Sequence, residues 1–187
     1  MKDESHQLEI AGRTVTIRPM CHADADREQD FVRRLSPESK HYRFLGAVRE
    51  LTPEEVRRFC DVDGHRSMAF VATVEEDSRP RIIGVSRYAP NAEGSAREIA
   101  ITVADEWQHQ GLGTRLARTL IQHARQHGVR KLYSIDLADN AHMGMLARDL
   151  GMKASTDPED AHQVIYSLNL ADLPVATGSR AVTSTAP

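Results

Sequence analysis

The chain has 187 residues, 40% hydrophobic and 27% charged, with a formal net charge of −3. That length suits one domain with a full core, and the slightly acidic balance argues against nonspecific nucleic-acid binding, which needs a strongly basic face. No apolar run approaches the roughly 20 residues that span a bilayer, and Cys21 and Cys60 are too few to frame a disulfide-held fold.

The opening MKDESHQLEI is acidic and polar, unlike a secretory signal, so the expected setting is cytoplasmic, without membrane or nucleic-acid partners. Residues 1–10 are expected as a flexible N-terminus. Thr14–Arg18 alternates and meets Pro19, which predicts a first strand. Ala25, Phe31, Val32 and Leu35 predict a short helix over 24–35. Ser36-Pro37 supplies an N-cap and a first-turn proline for a second helix reaching about Leu45. Thr52-Pro53-Glu54-Glu55 predicts a third, with Thr52 and Glu55 as a capping box.

The rhythm then changes. Met68–Val74, Arg81–Tyr88 and Arg97–Val103 are β-rich runs separated by the turn formers of EEDSRP and APNAEGSA, and they predict an antiparallel meander. A long helix follows from about Gly113 to His127, its buried stripe marked by Leu116, Leu120, Ile121 and Ala124 and its end by Gly128. Lys131–Leu137 is a strand, Asn140–Leu150 a short helix, and Gln163–Leu168 a last strand. The order β-α-α-α-β-β-β-α-β-α-β predicts a single α/β (α+β) domain over 11–170, a mixed central sheet flanked by helices. The strand–helix–strand unit across 97–137 requires a crossover. Residues 171–187, small and polar, are expected as a disordered tail.

The stretch between Val103 and the long helix, DEWQHQGLGTRLA, carries the chemistry. A helix N-terminus has unpaired N–H groups and a partial positive charge, and glycines let a phosphate approach them closely. Gly111 and Gly113 can equally serve a plain turn, but their place between a strand and a long helix favours the cradle. A dinucleotide fingerprint fails at Leu116, where a third glycine or alanine is needed, although Asp136 could imitate its ribose-binding acid. A P-loop fails for want of Lys-Ser/Thr.

The Q-x-x-G-x-G at the head of a helix, inside ITVADEWQHQGLGTRLARTLIQHARQHGVRKLYSIDL and followed by ADNAHMGMLARDLGM, resembles the coenzyme A loop of the GNAT family of N-acetyltransferases. With the upstream LSPESKHYRFLGAVRELTPEEVRRF, it is similar to the acetyltransferase domain of bacterial protein lysine acetyltransferases of the acetyl-CoA synthetase-modifying type. The resemblance implies a GNAT-like fold over 11–170, acetyl-CoA as cosubstrate, and an acceptor that is a protein lysine or a small amine. It implies pyrophosphate contacts from Gln108, His109, Gln110, Gly111, Leu112, Gly113 and Thr114, main-chain pairing of the pantetheine arm with Ile101 and Val103, and a further bond from Asn140. Arg115 and Arg118 could add charge.

A lysine amine of pKa about 10.4 is almost wholly protonated at neutral pH, so its attack needs a base. Glu98 opens the strand that leads to the loop, and partial burial there would raise its pKa toward a useful range. The resembled enzymes hold their catalytic glutamate at the matching place. The plain alternative is a solvated carboxylate paired with Arg97 or Arg87, and Glu93, in a turn-like segment, is the second candidate. Many family members place a tyrosine acid seven residues after an asparagine matching Asn140. Here that position is Ala147, leaving Tyr133, Ser134 or water as substitutes. An acyl-CoA-binding regulator without catalysis is the competing class.

The nine histidines are scattered. His123 and His127 have i, i+4 spacing but no adjacent acidic ligand, and they sit where a helix end favours a cation, so no metal is expected. Trp107 is expected to anchor the loop, and Met143, Met145 and Met152 to fill core.

Overall fold

The computed structural model describes residues 4–46 and 50–172, so most of the expected tail lies outside the described residues. Eight strands form one sheet: β1 (His6–Ile10), β2 (Arg13–Pro19), β3 (Met68–Glu76), β4 (Arg79–Pro90), β5 (Arg97–Val103), β6 (Lys131–Leu137), β7 (Lys153–Thr156) and β8 (Gln163–Asn169). Five helices accompany them: α1 (Ala25–Arg34), α2 (Pro37–Phe44), α3 (Pro53–Cys60), α4 (Leu112–Gln126) and α5 (Ala141–Asp149). The sheet order is β1-β2-β3-β4-β5-β6-β8-β7. Every pairing is antiparallel except β5 with β6, which α4 connects.

Two strands go beyond the expected order. His6–Ile10, expected as a flexible stretch, forms the edge strand β1, joined to β2 by the two-residue turn Ala11–Gly12. β7 borders the opposite edge, and all four of its residues are exposed. Edge strands bury little, so the apolar alternation that reveals a strand is weak in HQLEI and absent in KAST. The EEDSRP connection is tighter than expected: β3 and β4 run on to Glu76 and from Arg79, leaving a turn in which Asp77 and Ser78 both have positive φ. That is the backbone of a two-residue hairpin. Leu170–Asp172, at the start of the expected tail, form a short 3-10 turn.

The helix caps follow the sequence. Ser36 Oγ accepts from Ser39 N at 3.1 Å. Thr52 Oγ1 accepts from Glu55 N at 3.2 Å while Glu55 Oε2 accepts from Thr52 N at 2.8 Å. α4 buries Leu112, Leu116, Leu120 and Ala124 without exposure against the sheet, each leucine contributing about 2 kcal/mol. This close packing explains Gly84 on β4: a methyl there would stand 2.8 Å from Leu116 Cδ1 and 3.3 Å from the Thr102 carbonyl.

Two buried polar clusters complete the frame. Asp24 has no exposure, and its carboxylate accepts from both ends of the Arg18 guanidinium at 2.7 Å and from Cys21 N at 3.0 Å. Burial opposes ionisation, but these bonds outweigh it and hold the carboxyl below its usual range. His123, on α4, lies between Phe70 and Tyr88 rather than carrying charge at a helix end. Its Nδ1 is 3.2 Å from Tyr88 Oη, its ring stacks on His127 at 3.9 Å, and Glu4 approaches Nε2 at 3.7 Å.

Burial, followed by the neighbouring His127 and His65, pushes the His123 pKa down to about 4. The folded chain therefore refuses a proton that the unfolded chain accepts below about 6.5. Stability is complete above that value and falls as pH drops toward 4, by on the order of 3 kcal/mol. His123→Gln removes this titration while keeping a partner for Tyr88. The gap in melting temperature between wild type and variant is expected to narrow as pH falls through that window. A gap independent of pH would assign the acid sensitivity elsewhere.

Candidate active site

The site begins where β5 and β6 part. Their parallel pairing consists of Arg97 with Leu132 and Glu98 with Tyr133. Beyond that contact β5 remains paired only to β4, and β6 to β8. The inner edges of Ile99–Val103 and Ser134–Leu137 thus face a V-shaped opening. A cleft of about 440 Å³ runs through it, lined by β5, the glycine-bearing loop, β6, α5 and the outer part of α2.

After Val103 a short 3-10 turn over Asp105–Trp107 buries Trp107 in the core. His109 and Gly111 then both adopt left-handed backbone, with φ of 59° and 81°, and Gly111 caps α4. Open space surrounds Gly111, so the demand for glycine there comes from its backbone alone. Gly113 is different. It is helical, and a methyl on it would meet Val103 Cγ2 at an ordinary 3.7 Å, so chain packing does not require a glycine. Its bare surface lines the cleft. The first turn of α4 offers N–H groups without intrahelical partners, together with the positive end of a 15-residue helix. This arrangement suits an anionic phosphate group.

The structure brings Glu98, Ile101, Val103, Gln108, His109, Gly111, Gly113, Thr114 and Asn140 together around the cleft. Leu112 is in the core, leaving only its main chain for a ligand. The Gln110 amide donates to the Glu106 carbonyl at 2.9 Å and lies outside the lining. The Gln108 amide donates to Val103 O and to Ser39 Oγ, both at 3.1 Å, so its side chain braces the loop. Asn140 Oδ1 accepts from Met143 N at 3.1 Å and caps α5. Arg115 and Arg118 are exposed on α4, away from the lining.

Glu98 departs from expectation in its surroundings: it is exposed rather than partly desolvated. Neither expected arginine partner reaches it. Arg87 is committed to Glu28 at 3.0 Å, and Arg97 donates to the Gly94 and Ala96 carbonyls. The contact Glu98 does make is with Tyr133, whose hydroxyl donates to Oε2 at 3.4 Å.

Arg43 and His142 line the cleft without any local sequence signal. Arg43, half-buried between Phe44 and Phe59, makes no hydrogen bond among the described residues. Burial and Arg87 push its pKa down to about 10 against the pull of Glu28, Glu98 and Asp136, so it stays charged at neutral pH. Asp136, weighed above only as a ribose-binding acid, is half-buried on β6 and accepts a hydrogen bond from Ser134 Oγ. Burial raises its carboxyl despite Ser134 and Arg43. His109 and His142 meet edge to face at 4.5 Å, linking the loop to α5. Among the described residues no group of three or more His, Cys, Asp or Glu is placed to hold a metal, and no helix is long and apolar enough to cross a membrane.

Comparison with known proteins agrees with this geometry. The model of the acetyltransferase (GNAT) family matches residues 31–152. The chain is 45% identical over 159 residues to Acetyltransferase PA5475 of Pseudomonas aeruginosa, covering 85% of this chain and 86% of that protein. It is 28% identical over 141 residues to Acetyltransferase Pat of Mycolicibacterium smegmatis, covering 75% of this chain but only 41% of that longer protein. The crystal structure of the GNAT domain of S. lividans PAT superposes with a TM-score of 0.81 at 25% identity, covering 89% of this chain and 97% of that one.

The loop owes its position to α2. Asp105 accepts from Ser36 Oγ at 2.6 Å, Ser36 N at 2.9 Å and Ser39 Oγ at 2.7 Å. Burial opposes the charge on Asp105, but these bonds outweigh it and hold the carboxyl below its ordinary value. Asp105→Ala is expected to cost about 1 kcal/mol in denaturant unfolding, as an exposed but multiply bonded carboxylate should. Ser39→Ala in the same background should add little further, because both changes break one network. Additive losses would show that the serines are held independently.

Proposed function

The chain belongs to the acetyltransferase (GNAT) family and is an acetyl-CoA-dependent N-acetyltransferase, and we propose that it acetylates protein lysine side chains by direct attack in a ternary complex, with Glu98 as the base. The observation that carries the acceptor class is the rim of the cleft. The large hydrophobic side chains exposed among the described residues are Leu45 and Met145, at 42% and 49% exposure. Both line this one cleft, together with the acidic Glu38 and Asp149. Apolar side chains at an acidic mouth suit a polypeptide that presents a cationic lysine.

The glycine-bearing turn and the first N–H groups of α4 hold the pyrophosphate of acetyl-CoA, with Gly113 bare beneath it. The inner edge of Ile101–Val103 pairs with no other strand and, apart from the Val103 carbonyl held by Gln108, offers main-chain groups to the amide-bearing pantetheine arm. Glu98, exposed where β5 and β6 part, draws the proton from the incoming ammonium through water, and Tyr133 orients its carboxylate. A main-chain N–H near Val103 stabilises the oxyanion that develops as nitrogen bonds to carbon. Asn140 keeps the start of α5 in place and turns its remaining amide function toward the cleft.

Two substitutions separate binding from chemistry. Glu98→Gln should lower kcat about 10²-fold with acetyl-CoA and poly-L-lysine, followed as released thiol, and leave CoA binding by calorimetry unchanged. An undiminished kcat would remove Glu98 from the role of base. Gly111→Ala forces a methyl into left-handed backbone at a cost of about 1–2 kcal/mol. It should weaken CoA binding roughly tenfold, because the loop relaxes away from its cradle conformation. Spermidine or other small amines turning over faster than poly-L-lysine would overturn the protein acceptor.

A further inference from the structure

We propose that Ser134 and Asp136 form the proton donor for the departing CoA thiolate, working from the face of the sheet opposite Glu98. This inference rests on the acetyl-transfer reading above and assigns a step which that reading leaves open. At Ala147, where many family members carry a tyrosine acid, a methyl group is 1% exposed and has no proton to give.

The register of the sheet decides which residues can replace it. Side chains alternate along a strand, and partners in register share a face. Glu98 is in register with Tyr133, so those two lie on one face, and the Tyr133 hydroxyl is occupied by Glu98. Leu132, Ser134 and Asp136 lie on the other. Tyr166, in register with Ser134, shares that second face, and its hydroxyl lies 3.3 Å from where a Cβ on Gly144 would be. The second face is therefore the one covered by α5. Ala147 follows Gly144 by three residues and sits on the same side of that helix. Ser134 and Asp136 thus project toward the side from which a tyrosine at 147 would come.

They also stand at the right point along the strand. Tyr133 is the last residue of β6 paired with β5, so Ser134 is the first to face the opening. Ser134 is 4% exposed and bonded to Asp136, and both line the cleft.

Charge assigns the roles. The carboxylates Glu28, Glu98 and Asp136 meet two guanidiniums, Arg87 and Arg43. Arg87 is bound to Glu28, and Arg43 is shared among Glu28, Glu98 and Asp136. Glu98 is exposed, whereas Asp136 is half-buried. Its neighbours are Ser134 on its own strand, Arg43 from α2, Glu98 from β5 and Tyr166 from β8. Burial and Glu98 favour its neutral form, against Ser134 and Arg43. An open carboxyl on one face and a half-buried one on the other can divide the roles of base and acid.

The step balances. The amine nitrogen bonds to the acetyl carbon, the C–S bond breaks, and its electron pair goes to sulfur. With Asp136 protonated, the bond that Ser134 otherwise donates to it reverses, and sulfur takes the Ser134 Oγ proton as Ser134 takes the Asp136 carboxyl proton. Glu98 returns the proton taken from the ammonium to solvent, the second proton of the nitrogen follows through the same water as the amide forms, and Asp136 regains one from solvent.

The test compares wild type, Ser134→Ala and Asp136→Asn with acetyl-CoA and with its oxygen analogue, in which an alkoxide must leave, using poly-L-lysine as acceptor. An alkoxide needs protonation far more than a thiolate does. Both variants should lose roughly ten- to a hundredfold in kcat with acetyl-CoA and more with the analogue, and Asp136→Asn should lose the alkaline limb of the pH profile. Independently of any acceptor, difference infrared spectra of the CoA complex should show a protonated carboxyl that is absent in Asp136→Asn. Equal losses with both donors, kcat within threefold of wild type, or no protonated carboxyl overturns the dyad. If those results come with intact CoA binding and a Glu98→Gln effect, the acetyl-transfer reading survives. If CoA does not bind, both fail.

Discussion

Everything at this site depends on how little β5 and β6 hold each other. A parallel pair demands a long crossover, and α4 supplies it, so the loop into α4 must start at the end of β5. Because pairing stops after Glu98 and Tyr133, the two strands present unpaired main-chain edges to one another across a wedge. Unpaired backbone N–H and C=O groups need partners. A wedge edged this way suits an extended ligand that carries amides of its own. The same divergence sets the open end of the wedge beside the N-terminus of α4, where a phosphate group is favoured. One short contact therefore fixes the channel, with Glu98 at its closed end and the cradle at its open end.

The surrounding packing keeps that contact short and rigid. Gly84 lets α4 lie close on β4, with Leu116 where a methyl would be. Asp24, fully buried and bonded to Arg18 and Cys21, ties the start of α1 to β2. Asp105 then ties the start of α2 to the loop through Ser36 and Ser39, and Gln108 ties the same loop back to Val103. The cradle is held from the outside by polar bonds and from the inside by Trp107 and Leu112. Such preparation lowers the entropic cost of closing on a ligand.

Much of this was legible in the sequence, for a physical reason. Long, buried, periodic elements announce themselves, and β5, β6, α4 and the Thr52 capping box stand where the pattern puts them. The glycine loop was legible because a strand–turn–helix with a left-handed turn leaves few residue choices. The edge strands β1 and β7 were not, since exposed residues carry no alternation to detect. Nor were the long-range polar links. Asp105 and Ser36 are 69 positions apart, and nothing local in either segment points to the other. Gln108 shows the limit most clearly: its place in the motif was legible, but the bonds of its amide to Val103 and Ser39 were not. The place of Glu98 at the cleft was legible, but that Arg87 would bond Glu28 in a distant helix and not Glu98 was not.

The two faces of the sheet at the opening carry different electrostatics, and this follows from what covers each. On the face with Glu98, α2 and α3 bring Arg43 and Phe59 against Arg87. Glu28 binds Arg87 with one oxygen, and its other oxygen has no partner among the described residues. That face gathers charge and stays open to solvent at Glu98. On the other face α5 presents Gly144 and Ala147, and the room left by such small residues is taken by Tyr166 from β8. A large side chain at 147 would compete with that packing, since Ala147 is already buried. The chain has thus placed its aromatic ring on the strand and kept the helix small. The β6 and β8 residues on this face that bear protons are Tyr166, which does not line the cleft, and Ser134 and Asp136, which do.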